Sequence, residues 1–271
     1  MPHRIIYPIQ PFFAIQSSRY LKKLSDHPAI AHFYKFKGNY DGHAGRVVPD
    51  GTVDIIFQCS REHPRAWVCG TVEKGEESWF EQDATYFGAR LMPGFLDHIG
   101  DAHVHELVDQ AYDMEDLLQG KHIPEQLAEA TDFEDQVRLF EKLFLPEIHL
   151  QDSTPHTISA EIIQRIYDSK GTIKVNELAE QMHYSRRHLS RCFEQTTGLD
   201  IKTFAGFIRF QSVLKGINSG KYENLADAAA EASYYDQAHF QKSFKRFSSM
   251  TPRNYEKLIR QSDYQKKLTV C

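Results

Sequence analysis

The stretch LAEQMHYSRRHLSRCFEQTTG, residues 178–198, decides the fold of the C-terminal half because its pattern is repeated in AAAEASYYDQAHFQKSFKRF, residues 228–247. In the first copy, Ala179 is followed by the polar Ser185 and then by two apolar residues, Leu189 and Phe193. In the second copy the corresponding residues after Ala229 each come one position later, at Asp236, Phe240 and Phe244. Each copy predicts a short helix, a tight turn, a polar cap and a second helix with one apolar stripe, which is the layout of a helix-turn-helix.

A helix-turn-helix places its second helix in the major groove of double-stranded DNA. Two copies predict that one chain reads two successive grooves, with its reading helices about 34 Å apart. Arginine can contact guanine through two donors or bind phosphate, and glutamine can pair with adenine. The predicted DNA-binding side chains lie on the outer faces of the two second helices: Arg186, Arg187, Ser190, Arg191, Gln237, Ala238, His239, Gln241, Lys242, Lys245 and Arg246.

The charge distribution agrees with DNA binding by the C-terminal half. The chain of 271 residues has a net charge of -5, but residues 1–150 hold 14 Lys and Arg against 24 Asp and Glu. The remaining residues hold 18 basic and 13 acidic side chains, so the C-terminal half is basic. Binding of a polyanion needs local rather than overall positive charge, and the acidic half is expected to act elsewhere.

The N-terminal half contains short β-branched and aromatic runs separated by Gly and Pro, which predict strands. The runs are AHFYKFKG (31–38), VDIIFQC (53–59), AWVCGTV (66–72) and ATYFGARLM (84–92). Helical spacing then predicts helices over 104–118 and 132–145. We therefore expect an α+β protein, with a β-rich barrel or sandwich plus helices followed by an all-α domain of seven helices.

Residues 149–157, rich in proline and polar turn formers, are the predicted linker between the two domains. They divide a sensor or dimerisation domain over 1–148 from a DNA-binding domain over 158–262. The seven helices of the second domain are predicted at about 158–168, 174–182, 185–196, 200–217, 224–232, 236–248 and 252–261.

The predicted helix over 132–145 has two interpretations. Phe133, Val137, Phe140 and Phe144 form an apolar stripe that can pack within the chain. Aromatic residues at this spacing also suit a dimer seam, so a homodimer through about 132–145 is a second expectation.

The C-terminal motifs resemble the DNA-binding domain of the AraC/XylS-type bacterial transcription regulators over about residues 158–260. The most specific parts are Ser185-x-x-x-Leu189-x-Arg191-x-Phe193, Gly198, Arg209, Phe240-x-x-x-Phe244-Lys245-Arg246 and Thr251-Pro252-x-x-Tyr255. The resemblance implies two helix-turn-helix units joined by a long helix at about 200–217. It also implies that Arg187 and Arg191 face bases from the first unit, and Ala238 and Lys242 from the second.

This chain departs from the family pattern at four positions. The family usually has glycine where this chain has His183, Ser233 and Ser249, and often has arginine where it has Glu256. A left-handed residue other than glycine costs of order 1 kcal/mol, so the first three departures predict a less stable domain or an altered turn.

The β-rich half resembles an uncharacterised N-terminal domain that is found in some AraC-type regulators. The resemblance is carried by Val48-Pro49-Asp50-Gly51-x-x-Asp54-Ile55-Ile56-Phe57 and by Phe87-Gly88-Ala89-Arg90-x-x-Pro93-Gly94. It implies a role in sensing a small-molecule effector or in dimerisation. An effector pocket should be apolar with a few polar anchors. The candidate effector-binding residues are Phe57, Trp67, Trp79, Tyr86 and Arg90; core or surface packing is the alternative explanation for them.

An alternative function is a metal-dependent small-barrel enzyme with a helical accessory domain, suggested by His103-Val104-His105. On the predicted helix, His103 and His105 would point to different faces, so we expect no metal site there. No Gly-rich phosphate loop or nucleophile motif is present, and the sequence predicts no catalytic residue and no cofactor. A third alternative is a protein-interaction module that uses residues 132–145 without DNA. No signal peptide, membrane span or paired cysteine pattern is evident, which predicts a cytoplasmic protein.

Overall fold

The computed structural model describes residues 8–39, 45–94, 98–100, 102–117, 122–147 and 153–271. The β-branched and aromatic runs of the N-terminal half form strands, as predicted. The strands are β1 (Ser17–Leu24), β2 (Ile30–Gly38), β3 (Arg46–Val47), β4 (Val53–Gln58), β5 (Arg65–Cys69), β6 (Glu76–Glu77), β7 (Thr85–Leu91), β8 (His98–Ile99), β9 (Ala102–His103) and β10 (Ala111–Asp113).

The helices of the N-terminal half are α1 (Pro11–Ile15), α2 (Met114–Leu117), α3 (Ile123–Glu129) and α4 (Phe133–Phe144). The C-terminal half contains α5 (Thr154–Asp168), α6 (Val175–Met182), α7 (Arg186–Thr197), α8 (Ile201–Asn218), α9 (Leu225–Glu231), α10 (Gln237–Ser248), α11 (Pro252–Gln261) and α12 (Tyr264–Lys267), followed by strand β11 (Leu268–Val270). None of the helices in the described ranges combines the length and apolar character that crossing a bilayer requires.

The seven predicted C-terminal helices are all present, each within a few residues of its predicted bounds. The first of them, α5, begins at Thr154, so residues 154–157 form a helical turn although the sequence assigns them to the linker. Residues 149–152 of that predicted linker lie outside the described residues. The α+β class is confirmed.

The main sheet of the described residues has seven strands in the order β10-β5-β4-β7-β2-β1-β11. Neighbouring strands are antiparallel except β1 and β11, which are parallel, with Tyr20 opposite Leu268. Two ribbons, β3–β6 and β8–β9, lie beside it. Instead of closing into a barrel, this open sheet carries helices on both faces.

Side chains alternate between the two faces of the sheet, as strand geometry requires. On one face, Ile55, Phe57 and Phe87 pack with the apolar residues of α3 and α4. On the other face, Tyr34 and Ile56 pack with α1 and with the C-terminal helices. The second core therefore runs without interruption from the sheet into the helical half.

The predicted helix over 104–118 is wrong. Residues Val104–Glu106 form a single 3-10 turn, Ala111–Asp113 form β10, and α2 covers Met114–Leu117; residue 118 lies outside the described ranges. Asp109 has φ of 56°, a left-handed conformation that a continuing α-helix does not tolerate. Ala111 then pairs with Cys69 of β5, so sheet pairing overrides the helical spacing of the apolar residues.

The apolar stripe of α4 packs inside the chain. Phe140 is fully buried, and its ring lies 5.5 Å from that of Phe33 and 6.1 Å from that of Phe57 between ring centroids. Phe133, Val137 and Phe144 are buried in the same core. These side chains are unavailable for the expected dimer seam, and the alternative of packing within the chain is the one that the structure contains.

Helix α8 connects the two halves of the molecule. The side chain of Gln211 is fully buried, and its Nε2 donates to the carbonyl oxygen of Pro49 at 2.8 Å. Its Oε1 accepts a hydrogen bond from the backbone N–H of Ile9 at 2.9 Å. Val48–Gly51, which belong to the motif that carries the resemblance of the β-rich half, therefore dock on the long helix.

Candidate functional site

The first helix-turn-helix unit consists of α6 and α7. His183 ends α6 in the left-handed region, with φ of 57°. The Ser185 side chain then caps α7 by accepting a hydrogen bond from the backbone N–H of His188 at 3.2 Å. Leu189 and Phe193 are fully buried, so the apolar stripe of α7 faces the core, and the arginines of its first two turns remain outside.

The outer face of α7 is cationic. Arg186, Arg187 and Arg191 are exposed, and Ser190 is half-buried. The Arg186 guanidinium donates to Asn176 Oδ1 of α6 at 3.2 Å, which holds it against the first helix of the unit. Neither Arg187 nor Arg191 forms an ion pair within the described residues, so both guanidinium groups can meet an external anion.

The second unit consists of α9 and α10 and repeats this construction. Ser233 occupies the left-handed region in the turn, with φ of 54°. Asp236 caps α10 by accepting a hydrogen bond from the backbone N–H of His239 at 2.6 Å. Phe240, Phe244 and Phe247 are buried. The predicted contact residues of this helix are all exposed: Gln237, Ala238, His239, Gln241, Lys242, Lys245 and Arg246.

Buried polar contacts hold the two units on α8. Arg209 donates through Nε and Nη2 to the carbonyl oxygen of Gly171, at 3.1 and 2.9 Å. Its guanidinium also lies 5.6 Å from the centroid of the Tyr234 ring in the turn of the second unit. The buried Tyr255 hydroxyl donates to Asn218 Oδ1 at 2.7 Å. These contacts give Arg209 and Tyr255 a structural role, because they tie the turn before α6, the turn of the second unit and α11 to α8.

A cavity of about 160 Å³ lies on the α1 face of the sheet. Its walls include Phe13 of α1, Asp54 and Ile56 of β4, and two loops. We call residues 70–79 the first cavity loop and residues 104–111 the second cavity loop. The loops are tied together because the Glu73 N–H donates to Asp109 Oδ1 at 2.7 Å and the Asp109 N–H donates to the Thr71 carbonyl at 3.0 Å.

Each cavity loop also contacts the C-terminal end of one reading helix. In the first loop, the Gly75 N–H donates to the carbonyl oxygen of Arg246 at 3.2 Å, and Ser249 Oγ donates to the carbonyl oxygen of Gly75 at 2.6 Å. A Cβ at Gly75 would lie 2.6 Å from the Phe247 oxygen, so only glycine fits. In the second loop, His105 Cα lies 2.6 Å from where a Cβ of Gly198 would stand, at the end of α7.

The five candidate effector-binding residues are only partly brought together. Trp79 lines the cavity. Trp67 packs on Trp79 with ring centroids 4.3 Å apart. The ring centroid of Tyr86 lies 6.2 Å from that of Trp79. Phe57 lies apart from this cavity, in the core on the opposite face of the sheet, because β4 residues alternate and Asp54 and Ile56 face the cavity.

Arg90 is fully buried behind the cavity wall. Its Nη2 lies 2.7 Å from Asp54 Oδ2, and its Nη1 lies 3.4 Å from Asp50 Oδ2. Burial alone would lower the pKa of Arg90, but Asp54 and Asp50 more than offset this effect and raise it. Burial raises the pKa of Asp54, although the adjacent Arg90 opposes the shift. Arg90 therefore anchors two carboxylates rather than lining the cavity itself.

Sequence reasoning missed most of the polar residues of the cavity. Gln10, Asp50, Glu76, Glu77 and Asp109 line it together with Asp54. Asp50 and Asp54 belong to the quoted Val48–Phe57 motif, so the motif carried a signal for them. The others come from separate loops and a short strand that only the tertiary fold brings together.

The histidines behind the metal-enzyme alternative lie at the β8–β9 ribbon and the adjoining turn, and not on a helix. The rings of His103 and His105 stack with centroids 5.3 Å apart. In the described part of the chain, no set of three or more His, Cys, Asp or Glu side chains is arranged to hold a metal ion.

Comparison with known proteins finds a match to a family model in each half of the chain. Residues 178–258 match a family described as a helix-turn-helix domain. Residues 23–113 match a domain of unknown function, DUF6597. Two partial relatives are regulators by name, which agrees with the prediction of a non-enzymatic protein. The uncharacterized HTH-type transcriptional regulator YisR of Bacillus subtilis is 28% identical over 130 residues, 45% of this chain and 43% of the relative.

The second relative is the Msm operon regulatory protein of Streptococcus mutans, 26% identical over 119 residues, which are 42% of each chain. The chain thus spans less than half the length of these curated relatives. A solved structure of ToxT from Vibrio cholerae gives a TM-score of 0.45 at 10% identity, covering 83% of this chain and 97% of that chain. The C-terminal domain of AraT from Geobacillus stearothermophilus gives 0.36 at 22% identity, covering 39% and 88%. Likeness at these TM-scores is too weak to carry an inference.

Proposed function

We propose that this chain, which carries an AraC-type helix-turn-helix domain behind a DUF6597 domain, is a sequence-specific transcription regulator controlled by a small-molecule effector. The observation that carries the proposal is the pair of reading helices, each capped, packed by its apolar stripe and exposed along a polar or cationic face. An ordinary solvated helix face explains one such helix, but not the repetition of the whole unit.

Base readout is assigned to the N-terminal parts of the two helices. Arg187 and Arg191 can each donate two hydrogen bonds to a guanine edge. Gln237 or Gln241 can pair with adenine, and the Ala238 methyl can contact a thymine methyl. Lys245 and Arg246 lie at the other end of α10 and are assigned to phosphate, which positions the protein without specifying sequence.

Effector control is supported by the position of the two cavity loops. They wall the cavity, they are hydrogen-bonded to each other, and each contacts the end of one reading helix. A ligand that favours one arrangement of the loops would bias the position or exposure of both helices, by an amount set by its differential affinity for the two arrangements. Dimerisation through the N-terminal domain stays a separate possibility, although the stripe of α4 is no longer a candidate surface.

The DNA assignment is tested with Arg187→Ala and Arg191→Ala, using a duplex selected from a random library by the purified protein. Each loss of a base contact should cost about 1–3 kcal/mol of binding free energy and relax specificity at one position. Lys245→Ala should instead weaken binding to all sequences and reduce the slope of log affinity against log salt by about 1.

The matched control is Arg138→Ala, which removes the same charge from the exposed face of α4 in the N-terminal half. It should leave both affinity and specificity unchanged. If Arg187→Ala and Arg191→Ala also retain the specificity of the wild type, the assigned readout is incorrect.

Coupling between the loops and the helices is tested with Gly75→Ala. Its new methyl group must displace the first cavity loop from the end of α10, so we expect DNA affinity to fall about fivefold or more, although Gly75 is not one of the predicted DNA-contacting residues. Lys74→Ala, at the exposed neighbouring position, is the control. Equal DNA affinity of Gly75→Ala and the wild type would contradict the coupling.

A further inference from the structure

The lining of the cavity is strongly acidic. Five carboxylates contribute to it, and no Lys, Arg or His is among its described lining residues: the acids are Asp50, Asp54, Glu76, Glu77 and Asp109. Asp109 accepts a backbone hydrogen bond across the two loops, and Asp50 accepts from Gln10 Nε2 at 2.9 Å. The acids are therefore tied to the fold at several points around one space.

Neutralisation of these acids within the protein is incomplete. The single guanidinium of Arg90 serves both Asp50 and Asp54, which leaves the buried cluster with one more carboxylate than cation. Glu76 and Glu77 of β6 are exposed at the rim and form no ion pair within the described part of the chain. The lining residues therefore carry more carboxylates than cations, although Arg46 of β3 lies opposite Glu77 of β6, and an anionic ligand would be disfavoured against this lining.

Aromatic rings form the other part of the lining. Phe13 and Phe80 are buried, while Trp79 is 44% exposed. Trp79 packs on Trp67, and the Arg65 guanidinium already lies 4.9 Å from the centroid of the Trp67 ring. The tryptophan pair thus accepts a cation on its outer side, and Trp79 offers the same kind of surface to the cavity.

Resting on the proposed effector role of this cavity, we propose that its ligand is a small organic ammonium ion. A space of about 160 Å³ matches the size of a single-ring molecule, since an engineered cavity of about 150 Å³ binds benzene. The ammonium group lies against the rim carboxylates, Glu76 and Glu77, and the face of Trp79. The apolar body packs against Phe13 and Phe80, whose rings contact each other edge to face with centroids 4.9 Å apart.

The test uses intrinsic fluorescence, because the only two tryptophans of the chain, Trp67 and Trp79, both lie at this site. The full-length protein is titrated with benzylamine, benzyl alcohol and benzoate, which share one ring and differ in charge. We expect benzylamine to change the emission and to bind about tenfold or more tightly than benzyl alcohol, with benzoate weakest. Choline, which has a quaternary nitrogen without N–H donors, separates recognition by hydrogen bonding from recognition by charge and aromatic faces.

The double variant Glu76→Gln, Glu77→Gln keeps the shape of the rim and removes its charge. We expect its affinity for benzylamine to fall about fivefold or more, and its affinity for benzyl alcohol to stay unchanged. The matched control is Glu115→Gln, Glu129→Gln, which removes the same charge from two exposed positions outside the lining and should not alter the titration.

Equal binding of benzyl alcohol, tighter binding of benzoate, or no response to either benzylamine or choline would overturn the assignment of an ammonium ligand. These outcomes are distinguishable from failure of the proposed function, because selection of a DNA site is measured without any added ligand. A protein that selects DNA but binds no cation loses only the ligand assignment. A protein that binds the cation but selects no DNA retains the site and loses its role in transcription.

Discussion

At the scale of single residues, the buried cluster of Arg90, Asp54 and Asp50 is the most consequential feature of the N-terminal half. Arg90 is completely buried, and Tyr34 completes the set by donating its hydroxyl hydrogen to Asp54 Oδ1 at 3.1 Å. Such a cluster costs desolvation energy, but removal of one partner costs more because it leaves an uncompensated buried charge. Its position behind the cavity holds in place two of the carboxylates that line the cavity, Asp50 and Asp54.

Arg90→Met should therefore lower the free energy of unfolding by about 3–5 kcal/mol near pH 7.5, measured by urea denaturation. This loss in the free energy of unfolding should become smaller as the pH is lowered toward about 5. Burial raises the pKa of Asp54 and Arg90 opposes the shift, so the pKa of Asp54 rises further without Arg90. The folded variant then binds a proton more readily than the unfolded chain, and acid relieves the unpaired charge. Arg138→Met, at an exposed site, should show neither effect; an equal deficit at both pH values would contradict the assignment.

At the scale of elements, the helix-turn-helix units followed closely from sequence, and parts of the N-terminal half did not. Caps such as Ser185 and Asp236 and stripes such as Leu189 and Phe193 act within one or two helical turns, so local sequence specifies them. The segment over 104–118 has the apolar spacing of a helix, but pairing of Ala111 with β5 decides its conformation. That pairing partner lies about forty residues away, and no local pattern reports it. Phe57 lies on the sheet face opposite the cavity, which alternation along β4 separates from the face of Asp54 and Ile56.

The turns of the two units each place a residue other than glycine in the left-handed region of backbone conformation. His183, at the end of α6, adopts φ of 57° and ψ of 33°, a conformation in which a residue with a Cβ is strained. His183→Gly should raise the free energy of unfolding by about 1 kcal/mol, as followed by far-UV circular dichroism during urea denaturation. His183→Ala is the control, because it keeps the strain and loses the tolerance of histidine for this region, and should not stabilise. If the free energy of unfolding of His183→Gly is no higher than that of the wild type and of His183→Ala, the turn is unstrained.

At the scale of the whole molecule, the two halves share one core and one sheet. Strand β11, at the C-terminal end of the described chain, pairs with β1 of the N-terminal sheet, and Lys267 Nζ donates to the carbonyl oxygen of Ile15 at 2.7 Å. The core on the α1 face of the sheet includes Tyr34 as well as Phe204 and Phe244 of the helical half. Composition and motifs predicted a division near residue 150, but contacts between distant segments are invisible to them. The two halves therefore have little freedom to move as independent bodies.

Thermodynamic coupling of the halves should be measurable because each half carries its own probe. Tryptophan fluorescence reports the N-terminal half, where Trp67 and Trp79 lie, and far-UV circular dichroism is dominated by the C-terminal helices. Separation of the halves would expose the shared core, so both probes should give one coincident urea transition.

Gln211→Ala should shift both curves together by about 1–3 kcal/mol, since it leaves the Ile9 N–H and the Pro49 carbonyl unpaired at the interface. Gln261→Ala, exposed at the end of α11, should shift neither. Two separated midpoints in the wild type would mean that the halves unfold independently, and contact between the cavity loops and the reading helices could then transmit little of the effect of a ligand.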